Sequence, residues 1–395
     1  MNLKRLWGEF MKKLVPIILI LLLIGGGVFL YLEKDRFLKP KKEPVEKEPV
    51  EVIESDDLFG KYYTDANATL KKMSLEEKVG QLFLVRYDSN LASTYITKYH
   101  TGGLLLFAKD FDGYTKKTMK SHIDELQKNS HIPLAIAADE EGGYVTRVSR
   151  YKEFRDSKFL SPRSYFEQGG YELLEQMEKE KAKMLLSIGV NFNLAPVADI
   201  STNENDFIYI RSFGKDAAST SEFIKNMVSY AQSENISSCL KHFPGYGNNV
   251  DTHTGIAIDK RDYTTFEQND FLPFMSGIDE GVPAILVSHN IVSCMDPDYP
   301  ASLSQKVITS ELREKLRFSG IVLTDDLDMD AVKEYAEGGK AATLAINAGA
   351  DMIITSDLPS MYQEILDGVK NKQIEESTID KAVLRILAWK EAYEF

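Results

Sequence analysis

Gly320-Ile321-Val322-Leu323-Thr324-Asp325-Asp326 is the stretch that decides the fold. Its aliphatic residues run on without a polar alternation, which suits a strand buried on both faces, the situation of a parallel strand covered by helices. The run then stops on two carboxylates, so polar chemistry sits at the strand's carboxyl tip. Working outward, seven more runs share this composition, at 81–87, 103–107, 133–139, 191–199, 238–243, 284–289 and 352–356. Amphipathic helical patterns fall between them, among them 119–128, 171–188, 220–234, 271–281, 309–317 and 337–348. Alternating strand and helix predicts an α/β protein with crossover connections. Eight such units over about 300 residues fit a TIM-type (β/α)8 barrel. A doubly wound open sheet is the alternative, and the absence of G-x-G-x-x-G after the first run counts against its dinucleotide-binding form.

Polar residues recur at the ends of these runs: Asp139, Asp199, Lys241 with His242, His289, and Asp325 with Asp326. A single one could cap a helix or turn. Five of eight ending this way mark the catalytic face of a barrel, where active sites are built from the carboxyl ends of the strands.

The fifth run opens into Lys241-His242-Phe243-Pro244-Gly245-Tyr246-Gly247-Asn248-Asn249-Val250-Asp251-Thr252-His253-Thr254-Gly255. Glycines and proline set the backbone at defined points of this loop. Asp251 lies two residues from His253, where a carboxylate can orient an imidazole and stabilise its charged form. A surface turn that happens to carry Asp and His is the plainer reading of D-x-H alone. A strand-tip carboxylate can attack an electrophilic carbon, bind a metal or grip hydroxyls. Set against a proton donor, it is the minimum for cleaving a glycosidic bond with retention of configuration.

The amino terminus is different material. Residues 14–32 are uncharged and strongly apolar, of the length a membrane-spanning helix needs, and follow Lys4, Arg5, Lys12 and Lys13 within residues 1–13. Gly25-Gly26-Gly27 is followed by further apolar residues, which favours an uncleaved signal anchor over a signal peptide. The positive-inside rule gives this orientation little support, because Lys34, Arg36, Lys39, Lys41 and Lys42 lie on the other side. No cysteine lies near the run, which excludes a lipoprotein anchor. Residues 33–57 are rich in proline and charge and read as a solvated linker. The sequence thus divides into a cytoplasmic terminus (1–13), a transmembrane anchor (14–32), a linker (33–57) and one catalytic barrel (58–395). The barrel is expected outside the membrane, single-pass anchored.

The net charge of −13 argues against nucleic acid as a partner. The two cysteines, Cys239 and Cys294, lie in or beside apolar runs and read as buried free thiols, with a disulfide left open. Neither C-x-x-C nor H-E-x-x-H occurs, so no dedicated metal site has motif support.

Blocks 241–255 and 320–329 resemble the two signature regions of family 3 glycoside hydrolases, in the bacterial β-N-acetylglucosaminidase branch. That pattern runs K-H-F-P-G-H-G…D-[ST]-H and then [ST]-D-D-L-x-M. Met73-Ser74-Leu75-Glu76-Glu77-Lys78-Val79-Gly80-Gln81-Leu82 is similar to the family's opening helix. Asp139-Glu140-Glu141-Gly142-Gly143-Tyr144-Val145-Thr146-Arg147 is similar to D-x-E-G-G-x-V-x-R. Leu194-Ala195-Pro196-Val197-Ala198-Asp199 and Ile210-Arg211-Ser212-Phe213-Gly214 follow in the family's order.

The resemblance implies that Asp325 is the nucleophile, that His253 is general acid and then base, and that Asp251 holds the imidazole. It implies that Asp139, Arg147, Arg211, Lys241 and His242 hold the sugar in the −1 subsite. Arg and Lys only donate and an ionised Asp only accepts, whereas a sugar hydroxyl needs both. It implies no metal and no organic cofactor. The expected partner is a glycan ending in β-linked N-acetylglucosamine, with peptidoglycan fragments (muropeptides) as the candidate. Tyr246 departs from the family's second His. The chain ends at Phe395 without a further domain, so the acid is expected from the 251–253 loop. That favours an N-acetylglucosaminidase over a β-glucosidase, a β-xylosidase or a phosphorylase of the same fold, and over a wall-binding barrel without turnover.

Simpler readings stand beside these roles. Arg147 and Arg211 could be surface ion-pair residues. Asp139 could cap a helix, with Glu140 and Glu141 in its first turn. Asp199 and His289 are expected to satisfy buried partners below the site. His100, His122 and His131 are expected to be solvated, as is Asp380 with Glu375 and Glu376. Tyr62, Tyr63, Trp389 and Tyr393 are expected to pack.

Overall fold

The computed structural model describes residues 57–249, 257–329 and 340–395, and singly residues 7, 12, 332 and 335. The chain separates into two units, 1–49 and 50–395. The proposed anchor at 14–32 lies outside the described residues, as do all but the last residue of the proposed linker. Among the described residues no helix is long and apolar enough to cross a membrane.

The second unit is a closed barrel. Its strands are β1 (Phe83–Arg86), β2 (Gly103–Leu106), β3 (Ala135–Ala138), β4 (Phe192–Asn193), β5 (Ser237–Phe243), β6 (Ala284–Val287), β7 (Ile321–Asp326) and β8 (Met352–Thr355). Each pairs in parallel with its neighbour in sequence, and β8 closes on β1 with Phe83 opposite Ile353. Seven lie inside the runs read from the sequence, and β5 begins one residue before its run, at Ser237. Ala284, Ile285, Ile321, Val322, Leu323, Met352 and Ile353 have no exposed surface, as continuous aliphatic runs require. β4 is two residues long. Pro196 offers no N–H to the ladder, which resumes only as the bridge of Val197 to Lys241.

The surrounding helices are α1 (Tyr63–Leu70), α2 (Leu75–Gln81), α3 (Ala92–Thr97), α4 (Lys116–Lys128), α5 (Pro162–Ser187), α6 (Ala217–Ser233), α7 (Phe271–Asp279), α8 (Ala341–Ala348), α9 (Leu358–Lys370) and α10 (Glu376–Ala392). A wide-turned helix at Lys306–Lys315 fills the β6–β7 connection. Local sequence sets the boundaries. Ser74 and Glu77 form a reciprocal capping box on α2. The helix expected from 171 begins there only as the second limb of α5, which bends at Gly169 and Gly170.

The amino-terminal end of the barrel is closed by α10. Trp389 is fully buried, donates through Nε1 to Ser237 Oγ (2.8 Å) and meets Phe192 edge to face. Beside it Lys390 is buried and donates to Gln81 Oε1 and Gly102 O, both at 2.8 Å. Burial pushes the Lys390 ammonium down from 10.5 to about 7. Between those values the unfolded chain carries the extra proton, so stability contributed through this group rises with pH. Lys390→Met is therefore expected to raise Tm most near pH 6, with the gain over wild type shrinking as pH climbs towards about 10. Paired thermal melts across that range measure it.

Three minor expectations are corrected. Cys294 is exposed; Cys239 is buried, and both are free. His122 is half-buried, hydrogen-bonded to the Tyr87 hydroxyl at 2.7 Å. Asp380 pairs with the buried Lys78 at 2.6 Å instead of facing solvent.

Candidate active site

A cavity of about 450 Å³ opens at the carboxyl end of the barrel. Each strand supplies a wall residue at or just past its tip or in its last turn inward: Arg86, Leu105, Asp139, Leu194, Lys241 with His242, Leu286, Asp325 with Asp326, and Ile354. The cavity is therefore coaxial with the barrel, where strand tips converge. In a ring of eight, β3 and β7 are diametrically opposed, so Asp139 and Asp325 face each other from opposite walls.

One wall is a buried lattice of charges. Lys241 Nζ lies 2.7 Å from Asp139 Oδ1 and 2.7 Å from Glu141 Oε1. Arg211 grips Glu141 with both arms of its fork, Nη2 to Oε1 at 2.7 Å and Nε to Oε2 at 3.1 Å. Arg211 Nη2 also reaches His242 Nε2 at 3.2 Å. Because a guanidinium only donates, Nε2 accepts there and the ring proton lies on Nδ1, facing Asp199 Oδ2 at 2.7 Å. Asp199 also accepts from the backbone N–H of His242 and of Tyr246.

The electrostatics follow from this pairing. Burial works to raise the Glu141 carboxyl, yet Arg211 and Lys241 outweigh it and hold it well below the usual carboxylate range. Burial likewise works against the charges of Arg211 and Lys241, and the facing carboxylates raise both above their ordinary values.

Glu140 shapes the loop that carries this wall. It is fully buried, and its Oε2 accepts from the N–H groups of Arg147 (2.8 Å) and Val148 (2.7 Å), while Ser149 Oγ donates to Oε1. The turn brings Arg147 Nη2 to within 3.5 Å of Asp139 Oδ2. Arg147 Nε is buried with no protein partner among the described residues.

The opposite wall is the tip of β7. Asp325 and Asp326 are both half-buried, and Asp325 Oδ1 accepts from the Asp326 N–H at 2.8 Å. Burial raises the Asp326 carboxyl to about 6; Asp328 N–H and Arg86 pull it down, and the charges of Asp328 and Asp325 push it up. Arg86 Nη1 pairs with Asp326 Oδ2 at 3.2 Å and lies over the Phe107 ring. His289 is buried beneath, bonded to Ser302 Oγ and to Asp326 O.

The structure thus brings together Asp139, Arg147, Arg211, Lys241, His242 and Asp325. Asp199 and His289 satisfy buried partners, as read from the sequence. Asp251 and His253 lie outside the described residues. The reading of Glu141 as a first-turn helix residue is corrected: it is buried in the cavity wall as the common partner of Lys241 and Arg211. Its place in the D-x-E-G-G motif was the available signal. Arg86 also was missed, though it sits at a strand tip like the others. Tyr144, Phe207 and Ile210 form an exposed apolar rim from two loops, and nothing in their spacing announces it. Tyr246, where the family pattern has His, is buried against Phe207 and meets His242 edge to face at 5.5 Å. Among the described residues no group of His, Cys, Asp and Glu is arranged to hold a metal ion.

Comparison with known proteins points the same way. Residues 74–389 match the glycosyl hydrolase family 3 N-terminal domain. A β-hexosaminidase of Nitrosomonas eutropha is 32% identical over 292 residues, covering 72% of this chain and 80% of that protein. One of Hydrogenovibrio crunogenus is 30% identical over 275 residues, covering 68% and 75%. The solved family 3 β-N-acetylglucosaminidase of Paenibacillus sp. str. FPU-7 superposes with a TM-score of 0.76 at 28% identity over 82% of this chain, which spans 63% of that longer one.

Proposed function

This chain belongs to glycoside hydrolase family 3 and is a glycosidase of the β-hexosaminidase kind, and on that footing we propose that it removes terminal β-linked N-acetylglucosamine from peptidoglycan fragments by a two-step retaining reaction outside the cell membrane. The observation that carries the reading is the Asp325 carboxylate across the cavity from the buried lattice of Asp139, Lys241, Glu141 and Arg211.

The lattice offers acceptors and donors at fixed spacing to the hydroxyls of one sugar ring, and Arg147 Nε adds a donor with no protein partner among the described residues. Asp325 attacks the anomeric carbon as the bond to the leaving oxygen breaks, and His253 gives its proton to that oxygen. Water then attacks the same carbon while His253 takes its proton, and the sugar leaves with its original configuration as Asp325 is freed. Asp251 steadies the imidazolium in between. A cavity sunk into the end of the barrel suits removal of end residues one at a time, and the apolar rim of Tyr144, Phe207 and Ile210 gives the leaving group a surface. The apolar run at 14–32 supports the tethered location, where wall fragments are the N-acetylglucosamine-bearing glycans at hand.

A panel of aryl β-glycosides tests this with the full chain, with and without phosphate. The N-acetylglucosaminide is expected to turn over at least about tenfold faster than the glucoside, without need of phosphate, and the full chain to sediment with membranes. A faster glucoside or a phosphate requirement overturns the substrate assignment. Glycan binding with equally negligible hydrolysis by wild type and Asp325→Asn identifies a binding barrel instead.

A further inference from the structure

The cavity is sealed at its inner end. Leu105, Leu286 and Ile354 line it from within their strands, below the polar tips, and none is more than 3% exposed. A pyranose held between Asp325 and the charge lattice can therefore project its leaving group only outward, past the rim. That rim carries Tyr144, Phe207 and Ile210, which are 72%, 36% and 51% exposed. Apolar side chains exposed singly need no explanation, but three gathered on one cavity mark a ligand groove.

Both loops that carry the rim are held. Tyr144 tips a turn closed by the Gly142 N–H to Val145 O at 3.1 Å. Behind it the Gly143 N–H donates to Phe159 O at 2.9 Å, and Lys158 Nζ donates to Gly143 O at 3.1 Å. Gly142 has φ +95°, and a Cβ there would sit 2.4 Å from Leu160 O, so only glycine lets the turn lie this close. In the loop after β4, Asp206 accepts from Ser201 Oγ at 2.7 Å and from Asn203 Nδ2 at 3.0 Å, and the Arg163 guanidinium covers the Tyr209 ring at 4.2 Å. An exposed apolar group on a backbone already fixed meets its ligand with little further loss of freedom.

Tyr246 stands behind this rim. Its ring closes a small apolar cluster with Val197 and Ile208, apart from the main core. It meets Phe207, the residue before Ile208, at 5.6 Å between ring centroids. The family pattern has His at this position. An imidazole would bring a polar ring into the cluster and less apolar surface against Phe207.

The chemistry of the occupant follows from where it must lie. A β-linked hexosamine carries its substituents close to the plane of the ring, so its two faces present C–H bonds. Such a face buries against aromatic and aliphatic side chains while the hydroxyls at the edge stay in water. We propose that Tyr144, Phe207 and Ile210 form a subsite for a leaving group that is itself a pyranose, taken by its C–H face, and that Tyr246 is the positioning residue that holds Phe207 in that subsite. The proposal names the leaving group of the reaction set out under Proposed function and rests on that reading.

The test uses the full chain and two substrates that place the same sugar against the lattice. In N,N′-diacetylchitobiose the leaving group is a hexosamine, whereas in N-acetyl-β-glucosaminyl fluoride it is a single atom that cannot reach the rim. Phe207→Ala is expected to lower kcat/KM about tenfold or more on the disaccharide and less than about twofold on the fluoride. Tyr144→Ala shows the same split, and Phe207→Tyr, which keeps a ring, retains most of the disaccharide activity. Tyr246→His is expected to cost about three- to tenfold on the disaccharide alone. Combined with Phe207→Ala it adds nothing, because both changes remove one contact. Tyr246→Leu, which fills the cluster without a ring, shows the same pattern and serves if Tyr246→His does not fold. Equal losses on the two substrates, or no loss on the disaccharide in either rim variant, overturn the subsite. Losses that multiply in the double variant overturn the role of Tyr246. If wild type cleaves neither substrate, the N-acetylglucosaminidase reading has itself failed and the proposal falls with it.

Discussion

Asp325→Ala is expected to lower kcat/KM for an aryl N-acetyl-β-glucosaminide by about 10⁴-fold or more, the scale on which losing a covalent nucleophile acts. Stability should change little. The side chain is only half-buried, at the tip of its strand. Added azide can then attack the vacated side of the anomeric carbon and give a glycosyl azide of inverted configuration, which NMR identifies. Asp326→Asn should cost far less, because its carboxylate is already occupied by Arg86 and the Asp328 N–H. If Asp325→Ala keeps wild-type turnover, or if the Asp326 change is the lethal one, the nucleophile has been assigned to the wrong member of the pair.

The second large effect is expected from Glu141→Gln. Glu141 is 4% exposed and is the shared anion between Arg211 and Lys241. Removing its charge leaves two buried cations with the single carboxylate of Asp139 close to Lys241 and none gripping Arg211. Breaking a buried pair in this way costs about 3–5 kcal/mol, a large share of the 5–15 kcal/mol that typically holds a domain together. The pH dependence is fixed in sign. The folded carboxyl lies below its ordinary value of 4.5, so its contribution is complete above that value and fades as pH falls towards the folded one. Denaturant melts should therefore show a wide gap between wild type and Glu141→Gln at neutral pH and a narrowing gap in acid. A gap that stays constant or widens in acid would contradict the pairing. On the proposed sugar-binding role of Arg211 and Lys241, KM should also rise, because both lose the partner that fixes them in the cavity wall.

Period and composition carried the barrel. Seven of the eight strands fall inside aliphatic runs that the chain itself displays and the eighth, β5, overhangs its run by Ser237 alone, since a strand covered on both faces has no choice but to be continuously apolar. The strand-tip rule located Asp139, Lys241, His242 and Asp325, because a buried strand can afford charge only where it ends. Asp199 and His289, set apart as supports, do lie beneath the site.

The sequence by itself determined the repeating αβ plan, the face on which chemistry sits and the identity of the carboxylate at the tip of β7. Only the tertiary structure decided how those groups are paired. Glu141 looked like an ordinary first-turn acid until the fold laid Arg211, 70 residues away in sequence, across it. Arg86 acquires its meaning only through Asp326, 240 residues on. Periodicity reports which face of an element is buried, a property of near neighbours. Charge pairing is a matter of distances between residues far apart along the chain, and those distances exist only once the barrel has closed.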